Sequence, residues 1–272
     1  MIDQLTTTSP FVPEWSLHPT VLIGVGLLGA LYFYGVGPLR RRKALGPPAE
    51  PWRPFCFVLG LVVVLVSLNG PIHDLSDSYL FSIHMAQHLL LTMALPPLLI
   101  AGTPGWLIDA AARPPLARAV GRFLTRPVVA GILFSATLLV WHTVDAYDLM
   151  MRNHNVHVLT HLTFMATAVL LWWPVTSPSA TLPRLGPGMG MLYLFLVQIP
   201  MQILGAIITF ADAPLYPWYS SAPRTWGLSP LDDQKLGGLL MWIPGNLWIW
   251  GAMSVLFFAW ARQERREEAV GR

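Results

Sequence analysis

The sequence contains few charged residues and almost no cysteine. Asp, Glu, Lys and Arg together make up 11% of the 272 residues, whereas soluble domains contain about 25%. With 54% hydrophobic residues and a mean hydropathy of +0.53, this composition excludes a soluble domain and predicts an integral membrane protein. The single cysteine, Cys56, excludes an internal disulfide and any pair of thiolate ligands.

Common catalytic motifs are also missing from the sequence. It has no glycine-rich phosphate loop, no G-x-S-x-G elbow and no H-E-x-x-H zinc motif. The net charge of +3 comes from basic residues between the apolar stretches, where they fit topology determinants and lipid contacts better than nucleic-acid binding. We expect no nucleic-acid partner and no enzymatic activity, with a metallohydrolase as the one enzyme class left open.

Seven apolar stretches approach or exceed the length that crosses a bilayer as a helix, about 20 residues. The sequence therefore predicts an all-α fold, a polytopic bundle of seven transmembrane helices over residues 19–261. A short external segment, 1–18, precedes the bundle, and a charged cytoplasmic tail, 262–272, follows it. Pro96-Pro97 and Pro244-Gly245 predict a kink or break in their stretches. The stretches are 19–37, 54–70, 80–101, 127–144, 157–176, 188–211 and 236–260.

Lysine and arginine are distributed unevenly between the two sides of this bundle. Fourteen of the 17 follow the first, third, fifth and seventh stretches, and only Arg152, Arg224 and Lys235 lie on the other side. Cytoplasmic loops of membrane proteins carry the excess of positive charge. The sequence therefore predicts an N-terminus outside and a C-terminus in the cytoplasm.

Five histidines are predicted to converge at the outer side of the bundle. His84 and His88 lie four residues apart in the third stretch, and His157 and His161 repeat that spacing in the fifth, so each pair shares one helix face. His142 ends the fourth stretch on the same side. Polar side chains in membrane helices usually face the bundle interior, and their recurrence at one depth favours a metal site over a structural polar network. Secondary candidates are His73 (in the loop before the third stretch), His154, Met85 and Asp233, followed by Asp74, Asp77, Asp145, Asp148 and Asp232.

The residues alone leave the metal and its use open. Neutral imidazoles bind copper and zinc, and a thioether such as that of Met85 would favour Cu(I). Two histidines on facing helices could also ligate a b-type haem. Three further functions stay open: a copper permease lined by Gln198, Met201 and Gln202, a membrane zinc hydrolase with Asp233 as general base, and a haem-binding electron carrier.

Four sequence blocks form a pattern that extends from the third to the seventh stretch. They are Ser82-x-His84-Met85-x-Gln87-His88, Trp141-His142 with Tyr147-Asp148, His157 and His161 ahead of Trp172-Trp173-Pro174, and Asp233-Gln234-x-x-Gly237-Gly238-x-x-Met241-Trp242. Taken together, these blocks resemble the CtaG family of bacterial cytochrome c oxidase assembly factors.

The resemblance implies a seven-span protein of the bacterial inner membrane that matures an oxidase of the caa type at a copper-loading step. The histidine cluster would then hold copper and deliver it. The implied partners are the cytochrome c oxidase subunits and a periplasmic copper chaperone, within the lipid bilayer. An assembly factor of this kind is not an enzyme.

Overall fold

The computed structural model describes residues 16–224 and 227–270. Residues 1–15 of the predicted external segment and residues 271–272 of the predicted tail lie outside this part of the chain. All regular secondary structure in the described residues is helical. The helices are α1 (Pro19–Lys43), α2 (Trp52–Ser67), α3 (Gly70–Ser78), α4 (Phe81–Gly102), α5 (Gly105–Ala111), α6 (Pro115–Leu124), α7 (Pro127–Trp141), α8 (Val144–Arg152), α9 (His154–Thr176), α10 (Pro187–Thr209), α11 (Pro217–Ser221) and α12 (Pro230–Val270).

Five of these helices, α1, α4, α9, α10 and α12, are long and apolar enough to cross a membrane. Two bent pairs meet the same test when each pair is taken together: α2 with α3, bent by 46°, and α6 with α7, bent by 68°. The chain is therefore a multi-pass membrane protein with five to seven spans among its described residues. The predicted seven requires each bent pair to form one span.

The second predicted stretch does not end in a loop. Helix α2 stops at Ser67, and α3 begins at Gly70, whose φ of 63° is a left-handed conformation that glycine adopts at little cost. Asn69 holds this corner, because its side-chain Nδ2 donates to the Leu65 carbonyl and its Oδ1 accepts the backbone N–H of His18. The prediction that His73 lies in a loop was therefore wrong, since His73 lies on α3.

The prolines of the third stretch do not break α4. The helix accommodates them through a π-helical turn at Leu90–Ala94 and continues to Gly102. Because Pro96 has no N–H, the Thr92 carbonyl loses its helical partner, and the indole N–H of Trp172 donates to that carbonyl at 2.9 Å instead. Helix α12 likewise runs through Pro244 without a break and extends beyond the predicted seventh stretch.

Helix α4 lies at the centre of the bundle and packs against α2, α9 and α12. Its contact with α12 is close because of glycine: a Cβ on Gly237 would lie 2.4 Å from Cδ1 of Phe81. The neighbouring Gly238 faces α10, where a Cβ would lie 2.8 Å from the backbone N of Thr209. These glycines let α12 fix the position of the helix that carries His84 and His88.

Candidate metal site

The two histidine pairs face each other across the interface between α4 and α9. His84 and His88 lie with their Nε2 atoms 2.8 Å apart, and the Nε2 atoms of His157 and His161 are 2.9 Å apart. The rings of His84 and His157 stack at a centroid distance of 5.7 Å with 14° between their planes. All four side chains are buried. The four-residue spacing therefore places two imidazoles on one face of each helix, and the helix packing brings the two faces together.

Helix α9 begins one turn before its first buried histidine because Asn153 caps it. The side-chain Oδ1 of Asn153 accepts the backbone N–H groups of Asn155 and Val156 at 3.0 and 3.3 Å. An asparagine in this position satisfies backbone donors that have no partner within the helix. The cap fixes where the first turn of α9 starts and thus where His157 points.

Asp77, on α3, completes the group of side chains best placed to hold a metal ion. One ligand atom from each of Asp77, His84 and His157 lies within 4.8 Å of the others. The Oδ2 atom of Asp77 is also 3.4 Å from Nε2 of His73. Nδ1 of His73 is 3.2 Å from Nε2 of Gln87, which donates to the Ser67 carbonyl as well. His73 therefore orients the carboxylate and is itself held by Gln87.

A tyrosine from a distant part of the chain sets the protonation pattern of His84. The Tyr219 hydroxyl donates to the Ser76 carbonyl and lies 3.1 Å from Nδ1 of His84. Burial raises the pKa of Tyr219 well above its ordinary value, so the hydroxyl stays protonated. Because its one hydrogen goes to Ser76, its oxygen must accept a hydrogen from Nδ1 of His84. The neutral imidazole then carries its lone pair on Nε2, where a bound metal ion would take the place of the hydrogen bond to Nε2 of His88.

A profile of the cytochrome c oxidase caa3 assembly factor family (Caa3_CtaG) matches residues 30–263. The chain belongs to this family. Similar proteins include uncharacterized proteins of Mycobacterium bovis and Mycobacterium tuberculosis, each 29% identical over 284 residues, which covers 97% of this chain and 42% of theirs. An uncharacterized protein of Mycobacterium leprae is 26% identical over 273 residues, which covers 94% of this chain and 41% of its own length. The chain thus spans about two fifths of these curated relatives, and no solved structure matches it.

The Asp233 block of this Caa3_CtaG protein supports the site from outside it. Both carboxylate oxygens of Asp233 accept backbone N–H groups at the start of α4, from Phe81 at 2.7 Å and Ser82 at 3.0 Å. Gln234 accepts the backbone N–H of Leu215 and so anchors the segment that leads to α11. Asp233 was a candidate ligand on sequence grounds, and the structure assigns its oxygens to a helix cap.

The remaining candidates occupy different positions around this Caa3_CtaG cluster. His142 is buried at the end of α7, with its ring centroid 6.0 Å from that of His88. Met85, which follows His84 in the sequence, is fully buried. His154 is exposed at the first residue of α9. The sequence predicts Asp77 only as one of several nearby acids and does not predict Tyr219. These two residues reach the site through the short helices α3 and α11, whose positions have no periodic signal in the sequence.

A cavity of ≈ 590 Å³ lies directly beside the cluster. Apolar residues of α1, α2, α4 and α9 form most of its wall, and its polar end contains His18, His73, Asp77, His157 and His161. The histidines of this Caa3_CtaG protein are therefore buried within the bundle but adjoin a space large enough to admit an ion or a partner's side chain.

Proposed function

We propose that this protein is an assembly factor of the bacterial plasma membrane that holds copper at Asp77, His84 and His157 and passes it to a haem-copper cytochrome c oxidase. The observation that carries the proposal is the convergence of these three ligand atoms within 4.8 Å. Family membership supports the oxidase as recipient. A periplasmic copper chaperone would be the donor.

The ligand set suits an ion that must be released again. Two imidazoles and one carboxylate bind copper or zinc, and three protein ligands leave a coordination position open for exchange. The adjoining cavity gives a donor or recipient ligand a way to that position. A thiolate cage would bind Cu(I) more tightly, but the sequence has a single cysteine, Cys56, which lies near the start of α2, whereas Asp77 lies on the helix that follows the other end of α2.

The ring geometry favours a single ion over a b-type haem. Axial haem ligands approach the iron from opposite faces, so their ligating nitrogens point toward each other. The rings of His84 and His157 are stacked side by side at 5.7 Å, with their planes nearly parallel. Stacked rings present their nitrogens to an ion at their edge and leave no slot for a macrocycle between them.

Contacts elsewhere in the bundle weigh against a permease and against a hydrolase. The side chain of Gln202, which would line a permeation path, is hydrogen-bonded to Asn246 and to the indole N–H of Trp242. The carboxylate of Asp233, which would act as base in a hydrolase, is occupied by the start of α4. Both residues are therefore engaged in holding helices together, which supports delivery over transport or hydrolysis.

Metal analysis of purified variants tests the site. We expect Asp77→Asn and His157→Gln to lower copper affinity about tenfold or more, because each removes one of three ligands while preserving shape. The matched control is Asp145→Asn, which removes an exposed carboxylate in the first turn of α8. Wild-type copper occupancy in both site variants would overturn the assignment of these ligands.

The assembly role needs a separate test in cells. We expect a strain without this protein to synthesise the oxidase subunits in normal amounts but to load them poorly with copper. Oxidase activity and copper per oxidase should be measured under copper limitation, with the Asp77→Asn variant and the wild type as complements. Full activity in the deletion strain under these conditions would contradict the role.

A further inference from the structure

A second group of potential ligands lies one turn further along α4 than His84. A small cavity of ≈ 20 Å³ is lined by His88, His142 and three methionines, Met85, Met201 and Met241. The methionines come from α4, α10 and α12, and all five side chains are less than one tenth exposed. A space of about 10–15 Å³ holds one water molecule. This cavity therefore accommodates a single small occupant.

His142, which lines this cavity, has an imidazole lone pair without a partner. Its Nδ1 lies 2.8 Å from the Leu138 carbonyl, which can only accept, so Nδ1 carries the hydrogen. The neutral ring then has its lone pair on Nε2, and this buried nitrogen has no hydrogen-bond partner. A histidine whose other nitrogen donates to a backbone carbonyl is the usual arrangement of a metal ligand.

The hydrogen bond between Tyr219 and His84 also determines which ring nitrogen of His88 carries the hydrogen. Because Nδ1 of His84 donates to Tyr219, its Nε2 must accept, and the Nε2 of His88 that lies 2.8 Å away is the donor. The lone pair of His88 is therefore on Nδ1, which is buried and has no hydrogen-bond partner. Two histidines that line one cavity thus each have an unpartnered lone pair, and a hydrogen bond at the other ring nitrogen fixes which nitrogen carries it.

We propose that His88, His142 and the thioethers of Met85, Met201 and Met241 form a second metal site that is selective for Cu(I). The inference deepens the proposed function and rests on it only for the arrival of copper in the bundle. His88 borders this site and touches His84 of the first, so copper that reaches the first site as Cu(I) could pass to the second by ligand exchange along one helix face, with no change of oxidation state.

The chemistry of the cavity distinguishes Cu(I) from divalent ions. Thioethers are soft, neutral ligands that select Cu(I), whereas Zn²⁺ and Cu²⁺ prefer imidazole and carboxylate. None of the ten residues that line the cavity is acidic. Burying an ion without a compensating charge is costly, and the cost rises with the square of its charge, so a divalent ion is disfavoured here.

The test is a Cu(I) titration of the purified protein without oxygen, in competition with a chromophoric chelator, followed by copper X-ray absorption. We expect sulfur scattering in the wild type. We expect Met201→Leu with Met241→Leu to remove it and to lower Cu(I) affinity at least tenfold, since leucine preserves apolar volume. The matched control, Met150→Leu, changes a methionine that is 1% exposed but does not line the cavity, and it should bind Cu(I) like the wild type.

Two outcomes overturn the second site. One is Cu(I) bound by nitrogen and oxygen alone in the wild type, which would mean that the three thioethers do not ligate it. The other is unchanged affinity in the double methionine variant. A double variant, Asp77→Asn with His157→Gln, removes two ligands of the first site and leaves the second intact. Sulfur scattering from copper in this variant supports the second site even if the first site does not bind metal. Divalent binding without sulfur would sustain only the first.

Discussion

Asp233 of α12 caps the helix that begins with Phe81, 152 residues earlier in the chain. One carboxylate oxygen accepts the Phe81 N–H at 2.7 Å and the other accepts the Ser82 N–H at 3.0 Å, and Asp233 is fully buried. The first backbone N–H groups of a helix have no partner within it, and a carboxylate there also complements the helix dipole. A single residue of α12 therefore holds the N-terminus of α4 in place, one turn before His84.

Replacing that carboxylate should loosen both the fold and the site. We expect Asp233→Asn to lower the free energy of unfolding by about 2 kcal/mol, because one charge-assisted hydrogen bond is lost and an amide N–H₂ faces a backbone donor. Denaturation in detergent measures this loss. Copper affinity should fall with it, since the start of α4 is released. Asp232→Asn, an exposed neighbour, should change stability by less than about 0.5 kcal/mol. Equal effects of the two substitutions would contradict the cap.

The stabilisation from the hydrogen bond between the Trp172 indole and the Thr92 carbonyl should depend on Pro96, which lies four residues after Thr92 and has no N–H of its own to donate. We expect Trp172→Phe to cost about 1–2 kcal/mol beyond lost packing, because it leaves a buried carbonyl without a donor. In a Pro96→Ala background the alanine N–H can bond to that carbonyl, so the same substitution should cost less. A double-mutant cycle on unfolding free energies measures the difference. If the two substitutions change the unfolding free energy additively, the indole N–H does not substitute for the backbone hydrogen bond that Pro96 cannot make.

Acidification should weaken the contact between Asp109 and the loop after α9. Burial opposes ionisation of Asp109, but hydrogen bonds from the Ser179 hydroxyl at 2.5 Å and the Thr181 N–H at 2.9 Å outweigh it and lower its pKa. A carboxyl with a lowered folded-state pKa stabilises the fold above its ordinary pKa, and this contribution disappears as the pH falls through the folded-state value. The wild type should therefore lose thermal stability more steeply on acidification than Asp109→Asn. Parallel pH profiles would contradict this coupling.

The sequence predicts the parts of this molecule that follow helical periodicity. The i, i+4 spacing of His84 with His88 and of His157 with His161 predicts two rings on one helix face, and the ring centroids lie 4.5 and 4.7 Å apart. The apolar stretches also locate the long helices. Whether these histidines bind copper stays a prediction that the experiments above address.

Residues that reach the site through corners of the chain could not be predicted in the same way. Asp77 joins His84 only because the turn at Gly70 bends α3 by 46° from α2. Tyr219 bonds to His84 from a five-residue helix 135 positions away. Asp233 has the residue type of a ligand but acts as a cap, because its environment is the start of α4. In each case the role depends on packing between helices, which a single sequence does not encode locally.

Contacts within the structure place the basic segments and the histidine cluster at different ends of the bundle. The segments that contain most basic residues meet at one end of the bundle: Arg53 donates to the Ala101 carbonyl at 3.0 Å, and Arg122 donates to the Thr181 carbonyl at 3.5 Å. At the site, the indole N–H of Trp218 donates to the Asp77 carbonyl at 2.8 Å, so α11 lies beside the histidines.

If the basic end is cytoplasmic, Ser221 of α11 must face outside together with the metal site. In a Cys56→Ser background, a membrane-impermeant maleimide added to intact cells should therefore label the Ser221→Cys variant and not the Pro48→Cys variant, both of which change exposed residues. Lysis before labelling should make both reactive, which controls for accessibility. External labelling at position 48 would show that the bundle has the opposite orientation, and the proposed first copper site would then open toward the cytoplasm and not toward the periplasm.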